Sequence, residues 1–238
     1  MRGMVSLVLG LVLGLAWPVA ASALLIDDFA TGAGGFVISV GGSNPAPDSE
    51  TQVGAGILGG ERALILTRTA GLGIAATDVS LSENGVYSFT TGAGVTAEGQ
   101  LSYDGSSGPF DPGGLGGIDV TDGGASTFVR FQVRSDQAAT LRITFLSGDI
   151  ADTLFAEVVV PATSTIGPFQ TIDIPFASLM TAGAGANLTS VGAVLVDITG
   201  PASLDLQIDQ IATVPEPGTL MLLLTGILIL AGGRRAAA

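Results

Sequence analysis

Between two strongly apolar ends, the chain is a succession of short alternating or β-branched runs cut by clusters of Gly, Pro, Asp and Ser. The runs are Leu24 to Phe29, Phe36 to Val40, Ala63 to Thr69, Gly85 to Thr90, Phe128 to Ser135, Leu141 to Leu146, Leu154 to Val160, Thr171 to Phe176, Val191 to Ile198 and Leu204 to Ile211. A two-residue period builds strands, and no segment between the ends keeps a helical period for three turns, which excludes layered helix–sheet folds. The expected class is all-β, a β-sandwich or jelly roll, with one helical turn over Ala177 to Met180. Residues 24–213 suffice for one core and do not demand two.

Two strands reveal their faces. In Phe128 to Ser135 the apolar side is Val129, Phe131 and Val133, and the other side carries Arg130, Gln132 and Arg134. In Leu141 to Leu146 the apolar side is Leu141, Ile143 and Phe145, with Arg142 outward. The short link Ser135 to Thr140 predicts a hairpin that gathers the three arginines on one outer face. Such a face would either grip an anionic sugar or pair with surplus carboxylates.

Those carboxylates dominate the surface. From Leu24 to Glu216, five arginines stand against 21 acidic residues, a net charge of −16, with no lysine. This balance disfavours nucleic acid and anionic polymers and suits calcium or neutral sugars. The chain has no cysteine and no histidine, which excludes disulfides, thiol nucleophiles, Ser-His-Asp triads and the common zinc sites. Carboxylate-only chemistry survives that filter, and the pairs Asp119 with Asp122 and Glu83 with Glu98 are the ones on offer. In so acidic a chain such pairs arise by chance, so no enzymatic activity is expected.

Strict alternation fails at Ile26-Asp27-Asp28-Phe29 and at Ile208-Asp209-Gln210-Ile211, which predicts a bulge or strand end at each. If these first and last strands are neighbours, Asp28 and Asp209 meet, and a structural calcium would relieve their repulsion. Alternatively, both carboxylates cap strand ends in water.

The ends read as targeting segments. Residues 1–23 read as a secretory signal peptide, or if left uncleaved as an anchor: Arg2, then an apolar stretch from Met4 to Ala16, then the small-x-small site Ala21-Ser22-Ala23. Residues 214–238 hold Pro215-Glu216-Pro217, an apolar run from Leu220 to Ala231 that spans a bilayer only marginally, and Arg234-Arg235. Its parts alone also fit an ordinary C-terminal anchor, but in order and composition this tail resembles the PEP-CTERM sorting signal. The resemblance makes Pro215, Glu216 and Pro217 the sorting motif, the apolar run a transmembrane helix, and Arg234 with Arg235 the basic end. It further implies partners in the secretion machinery and an exosortase. Localisation would follow from export through the inner membrane of a Gram-negative bacterium to the cell surface or extracellular matrix.

Between the ends, the words Leu25-Ile26-Asp27-Asp28-Phe29, Gly59-Gly60-Glu61-Arg62, Tyr103-Asp104-Gly105, Gly117-Ile118-Asp119-Val120-Thr121 and Leu206-Gln207-Ile208-Asp209-Gln210-Ile211 are similar to a recurrent PEP-CTERM ectodomain. That ectodomain looks like the jelly rolls of carbohydrate-binding modules, several of which keep a structural calcium near the chain ends. The resemblance implies a structural or adhesive protein linked to exopolysaccharide or biofilm, the alternatives being a carbohydrate-binding module and a carboxylate-dependent glycan-processing enzyme. The only tryptophan, Trp17, lies in the signal peptide. Tyr103 and Asp104 would then serve a ligand as stacking face and acceptor, or else as core edge and turn. The glycine clusters at Gly32, Gly92 and Gly113 lack the following helix and Lys-Ser/Thr of a phosphate loop.

Overall fold

The computed structural model describes residues 23–30, 36–40, 47–80, 85–106 and 108–215. The expected signal peptide up to residue 22, Glu83, and the tail from Glu216 onward, with Pro217, Arg234 and Arg235, lie outside the described residues. Among the described residues, no helix is long and apolar enough to cross a membrane.

The strands are β1 (Leu25–Asp27), β2 (Phe36–Val40), β3 (Asp48–Val53), β4 (Glu61–Ala70), β5 (Ala75–Ser80), β6 (Val86–Thr91) and β7 (Thr96–Tyr103). They continue with β8 (Ser126–Ser135), β9 (Ala139–Leu146), β10 (Thr153–Val160), β11 (Gln170–Pro175), β12 (Met180–Ala182), β13 (Ala193–Thr199) and β14 (Asp205–Pro215). Two antiparallel sheets result. The first runs β11-β8-β14-β6-β5-β2 with β1 also on β14, and the second runs β12-β10-β9-β13-β7-β4-β3. Their apolar faces enclose one core, to which Tyr87, Phe89, Phe131, Val133 and Ile208 contribute from the first sheet and Leu64, Leu101, Ile143, Phe145 and Val196 from the second. The protein is thus a β-sandwich of jelly-roll type, as the turn-punctuated runs predict. The expected helical turn is a single 3-10 turn at Phe176–Ser178.

Alternation gave the faces of β8 and β9 correctly: Val129, Phe131, Val133, Leu141, Ile143 and Phe145 are all fully buried. The hairpin between them does not exist. β8 belongs to the first sheet and β9 to the second, and residues 136–138 cross from one to the other. A short link between two strands with apolar faces satisfies burial equally well as a hairpin or as an arch, and here the arch is clasped by its neighbour. Asp136 exchanges hydrogen bonds with Asp205, its N–H to the carbonyl (3.0 Å) and its carboxylate from the N–H (2.8 Å). Consequently Arg130 and Arg134 lie outside one sheet and Arg142 outside the other. Arg130 pairs with its cross-strand neighbour Asp173 at 2.7 and 2.8 Å. Arg134 donates to Gln207 and to the Gly167 carbonyl and lies over the Phe169 ring.

The bulges expected near both ends are present. Register shifts occur between Leu25 and Asp27 on β1 and between Ile208 and Gln210 on β14. The second has a clear cause: one edge of β14 pairs with β6 through Ile208 and with β1 from Ile211, so Asp209 sits where the strand changes partners. β14 runs on through Val214 to Pro215, which pairs with Ser126, so this strand reaches the first residue of the Pro-Glu-Pro word.

Candidate functional site

Three of the resemblance words, those holding Asp27, Arg62 and Tyr103, converge on a buried knot. Arg62 of β4 donates through Nη1 to both Asp27 oxygens at 2.6 and 2.8 Å, both side chains being fully buried. The Tyr103 hydroxyl donates to Asp27 at 3.0 Å and the Phe29 N–H at 2.8 Å, while Arg62 Nε donates to Gln52. The Phe29 ring lies 5.1 Å from the guanidinium carbon. Burial pushes the Asp27 carboxyl up and the guanidinium opposes it. Since Asp27 belongs to the first sheet and Arg62, Gln52 and Tyr103 to the second, the knot is a pin through the sandwich.

Of the two roles expected for Tyr103 and Asp104, the structure gives Tyr103 a place in the core and Asp104 a place in the turn. Tyr103 is fully buried, because its parity on β7 matches that of Leu101, and its hydroxyl is committed to Asp27. Asp104 is buried and organises the following loop, accepting from the N–H groups of Ser106 (3.3 Å) and Asp111 (2.8 Å). The carboxylate pair offered for hydrolysis fares similarly. Asp119 accepts from the Thr121 hydroxyl and from the Thr121 and Gly123 N–H groups, which hold it below the ordinary range in a turn.

β1 and β14 do pair, which brings the segments that carry Asp28 and Asp209 to neighbouring strands. Asp28 accepts from the Ala30 N–H, whereas Asp209 is raised by burial and opposed by the charge of Arg134. Among the described residues no three acidic, His or Cys side chains gather. Calcium takes six to eight oxygens, so an ion held by Asp28 and Asp209 would need backbone oxygens as well.

Glu61 is buried beside the knot, and its Oε1 has no hydrogen-bond partner. Burial raises its carboxyl, and the Asp104 charge adds to the rise. A carboxyl raised in the fold takes up its proton before the unfolded chain does, so its strain is felt at neutral pH and relieved as pH falls through the raised value. Glu61→Gln is therefore expected to raise the melting temperature at neutral pH and to flatten the gain seen on acidification towards the ordinary carboxylate range, read by melts across that interval.

The surface with binding geometry is the outer face of the second sheet. Cross-strand register sets Ile65, Gln100, Asp197, Arg142 and Glu157 in one row across β4, β7, β13, β9 and β10. Along it Gln100 donates to Asp197 at 2.6 Å, Arg142 approaches Glu157 at 3.4 Å, and the Arg142 guanidinium carbon lies 4.2 Å from the Phe155 ring centroid. This row floors a groove of about 640 Å³, flanked by Thr67, Glu98, Thr140 and Thr199. Ile65 and Gln100 also line an adjoining hollow of about 430 Å³, floored by Ala63, Ser102 and Leu195. Phe110, 38% exposed, and Ile150, 67% exposed, stand at its edge on loops. Phe110 was not singled out from the sequence, although a lone aromatic in Gly108-Pro109-Phe110-Asp111-Pro112 is a signal: nothing apolar nearby forms a strand that would bury it.

No protein-family model matches the chain. No curated protein matches it either. Solved structures similar to it include the family 11 carbohydrate-binding module of the cellulosomal cellulase Lic26A-Cel5E of Clostridium thermocellum, at 13% identity, covering 82% of this chain and 96% of that one, with a TM-score of 0.41. The Clostridium thermocellum family 11 module in complex with a β-1,3-1,4-mixed-linked tetrasaccharide gives the same coverage of this chain, 97% of that chain, 13% identity and a TM-score of 0.41. The family 30 module of the cellulase Cel9D-Cel44B of that organism matches at 14% identity over 76% of this chain and 98% of that one, with a TM-score of 0.40.

Proposed function

We propose that the chain is a non-catalytic glycan-binding domain that holds a polysaccharide segment in the groove on the outer face of its second sheet. The observation that carries this reading is the row of planar hydrogen-bonding groups Gln100, Asp197, Arg142 and Glu157, joined to an exposed aromatic ring at Phe110. Sugars offer hydroxyls at their edges and apolar C–H patches on their faces, so a binder needs fixed amides, carboxylates or guanidinium groups together with a flat apolar surface. The row is held in advance by its own contacts, which lowers the ordering cost on binding. Five strands at about 4.8 Å spacing span about 19 Å, enough for a short oligosaccharide.

The tail belongs to the same reading. Pro215, Glu216, Pro217, Arg234 and Arg235 support export and exosortase-dependent sorting, and a glycan-holding domain at the cell surface would act as an adhesive component of an exopolysaccharide matrix. Titration of the full chain against neutral oligosaccharides, starting with a β-1,3-1,4-mixed-linked tetrasaccharide, tests the binding. Saturable binding is expected, weakened about tenfold by Phe110→Ala with an unchanged melt, the size of a lost aromatic contact. Failure of every glycan to bind would sink the proposal.

A further inference from the structure

The groove is charged as well as polar. Its carboxylates Glu98, Asp197 and Glu157 face one cation, Arg142, which is already shared between Glu157 and the Phe155 ring. Glu98 is exposed and makes no side-chain hydrogen bond or ion pair among the described residues. An ionised carboxylate only accepts hydrogen bonds. The groove is thus rich in acceptors and poor in free donors.

An independent feature lies in the adjoining hollow. Ser102 is 3% exposed, and its Oγ has no hydrogen-bond partner. Leu101 and Tyr103 point into the core, so alternation on β7 turns Ser102 outward with Gln100 to the hollow's floor. A buried hydroxyl without a partner costs stability, and a polar ligand settling over it would recover that cost.

Resting on the groove being the glycan site, we infer that its ligand class is an amino-sugar polymer with free amines. An ammonium supplies three donors and a positive charge to Glu98 and Asp197, while the ring hydroxyls meet Gln100, the threonines and Ser102. The net charge of −16 between Leu24 and Glu216 draws such a polymer in and repels uronate chains. Arg142 does not make the groove an anion site, because its charge is offset by Glu157 and outnumbered by its neighbours.

The test is calorimetric titration of the full chain, at a pH where the amines are protonated, with β-1,4-linked glucosamine, N-acetylglucosamine, glucose and galacturonate oligomers of equal length. The glucosamine oligomer is expected to bind about tenfold more tightly than the acetylated and glucose oligomers, with an advantage that shrinks as salt is added. Glu98→Gln should remove most of that advantage. Asp122→Asn, which deletes an exposed charge outside the groove, should leave it in place. Equal affinity for the neutral oligomers would overturn the amine inference while leaving the glycan reading intact. Equal losses in both variants would overturn it too, assigning the preference to net charge alone. No binding of any oligomer would remove both readings.

Discussion

Replacing Arg62 with methionine is expected to cost about 3–5 kcal/mol of folding stability, because the Asp27 carboxylate would be left buried without its counter-ion. That is a large share of the roughly 5–15 kcal/mol by which domains are stable. Asp27 also accepts from Tyr103 and Phe29, so the loss would spread to the contact between β1 and β7. Chemical denaturation measures it. The double variant Asp27→Leu with Arg62→Met should recover part of the loss, since an apolar pair of similar size carries no desolvated charge. A single variant as stable as the natural chain would show that the pin through the sandwich contributes nothing.

Gly192→Ala should damage both stability and binding. A Cβ at Gly192 would lie 2.2 Å from the Pro112 carbonyl oxygen and 2.7 Å from the Gly113 Cα, which are backbone atoms and cannot swing aside. The loop is seated there by bonds from the Leu115 N–H to the Gly192 carbonyl and from the Gly148 N–H to the Pro112 carbonyl. Pushing it off costs about 1–3 kcal/mol, as for an overpacked core. Phe110 stands two residues before Pro112 and would move with it, so glycan affinity should fall about tenfold in the same variant. Unchanged affinity would separate Phe110 from the site.

The strand runs made the fold class legible, and alternation revealed the buried faces of β8 and β9. What alternation does not encode is which sheet a strand joins, and that is why the arch at residues 136–138 reads as a hairpin. The strands that went unread, β3, β5, β7 and β12, each lack the usual signal. β3 is Asp-Ser-Glu-Thr-Gln-Val on an exposed edge, and β7 carries Gly99 in its middle. That glycine is a packing device: a Cβ there would lie 2.8 Å from the Phe89 ring and 3.0 Å from the Tyr87 hydroxyl across the core.

The site was less legible than the fold. The resemblance words pointed to residues that do come together, but Asp27, Arg62 and Tyr103 form the buried pin. The groove is built from Gln100, Asp197, Arg142 and Glu157, which lie far apart in sequence and become neighbours only through register. Phe110 comes from a loop whose course is set by close backbone packing at Gly192, which no local pattern announces.

Mapping the bound surface by the backbone amide signals of the full chain, as an oligosaccharide is titrated in, tests the glycan groove most directly. The changes should concentrate on Gln100, Ser102, Phe110, Arg142 and Asp197 and saturate together. Changes confined to the outer face of the first sheet around Arg130 and Asp173, or none at saturating glycan, would contradict the assignment.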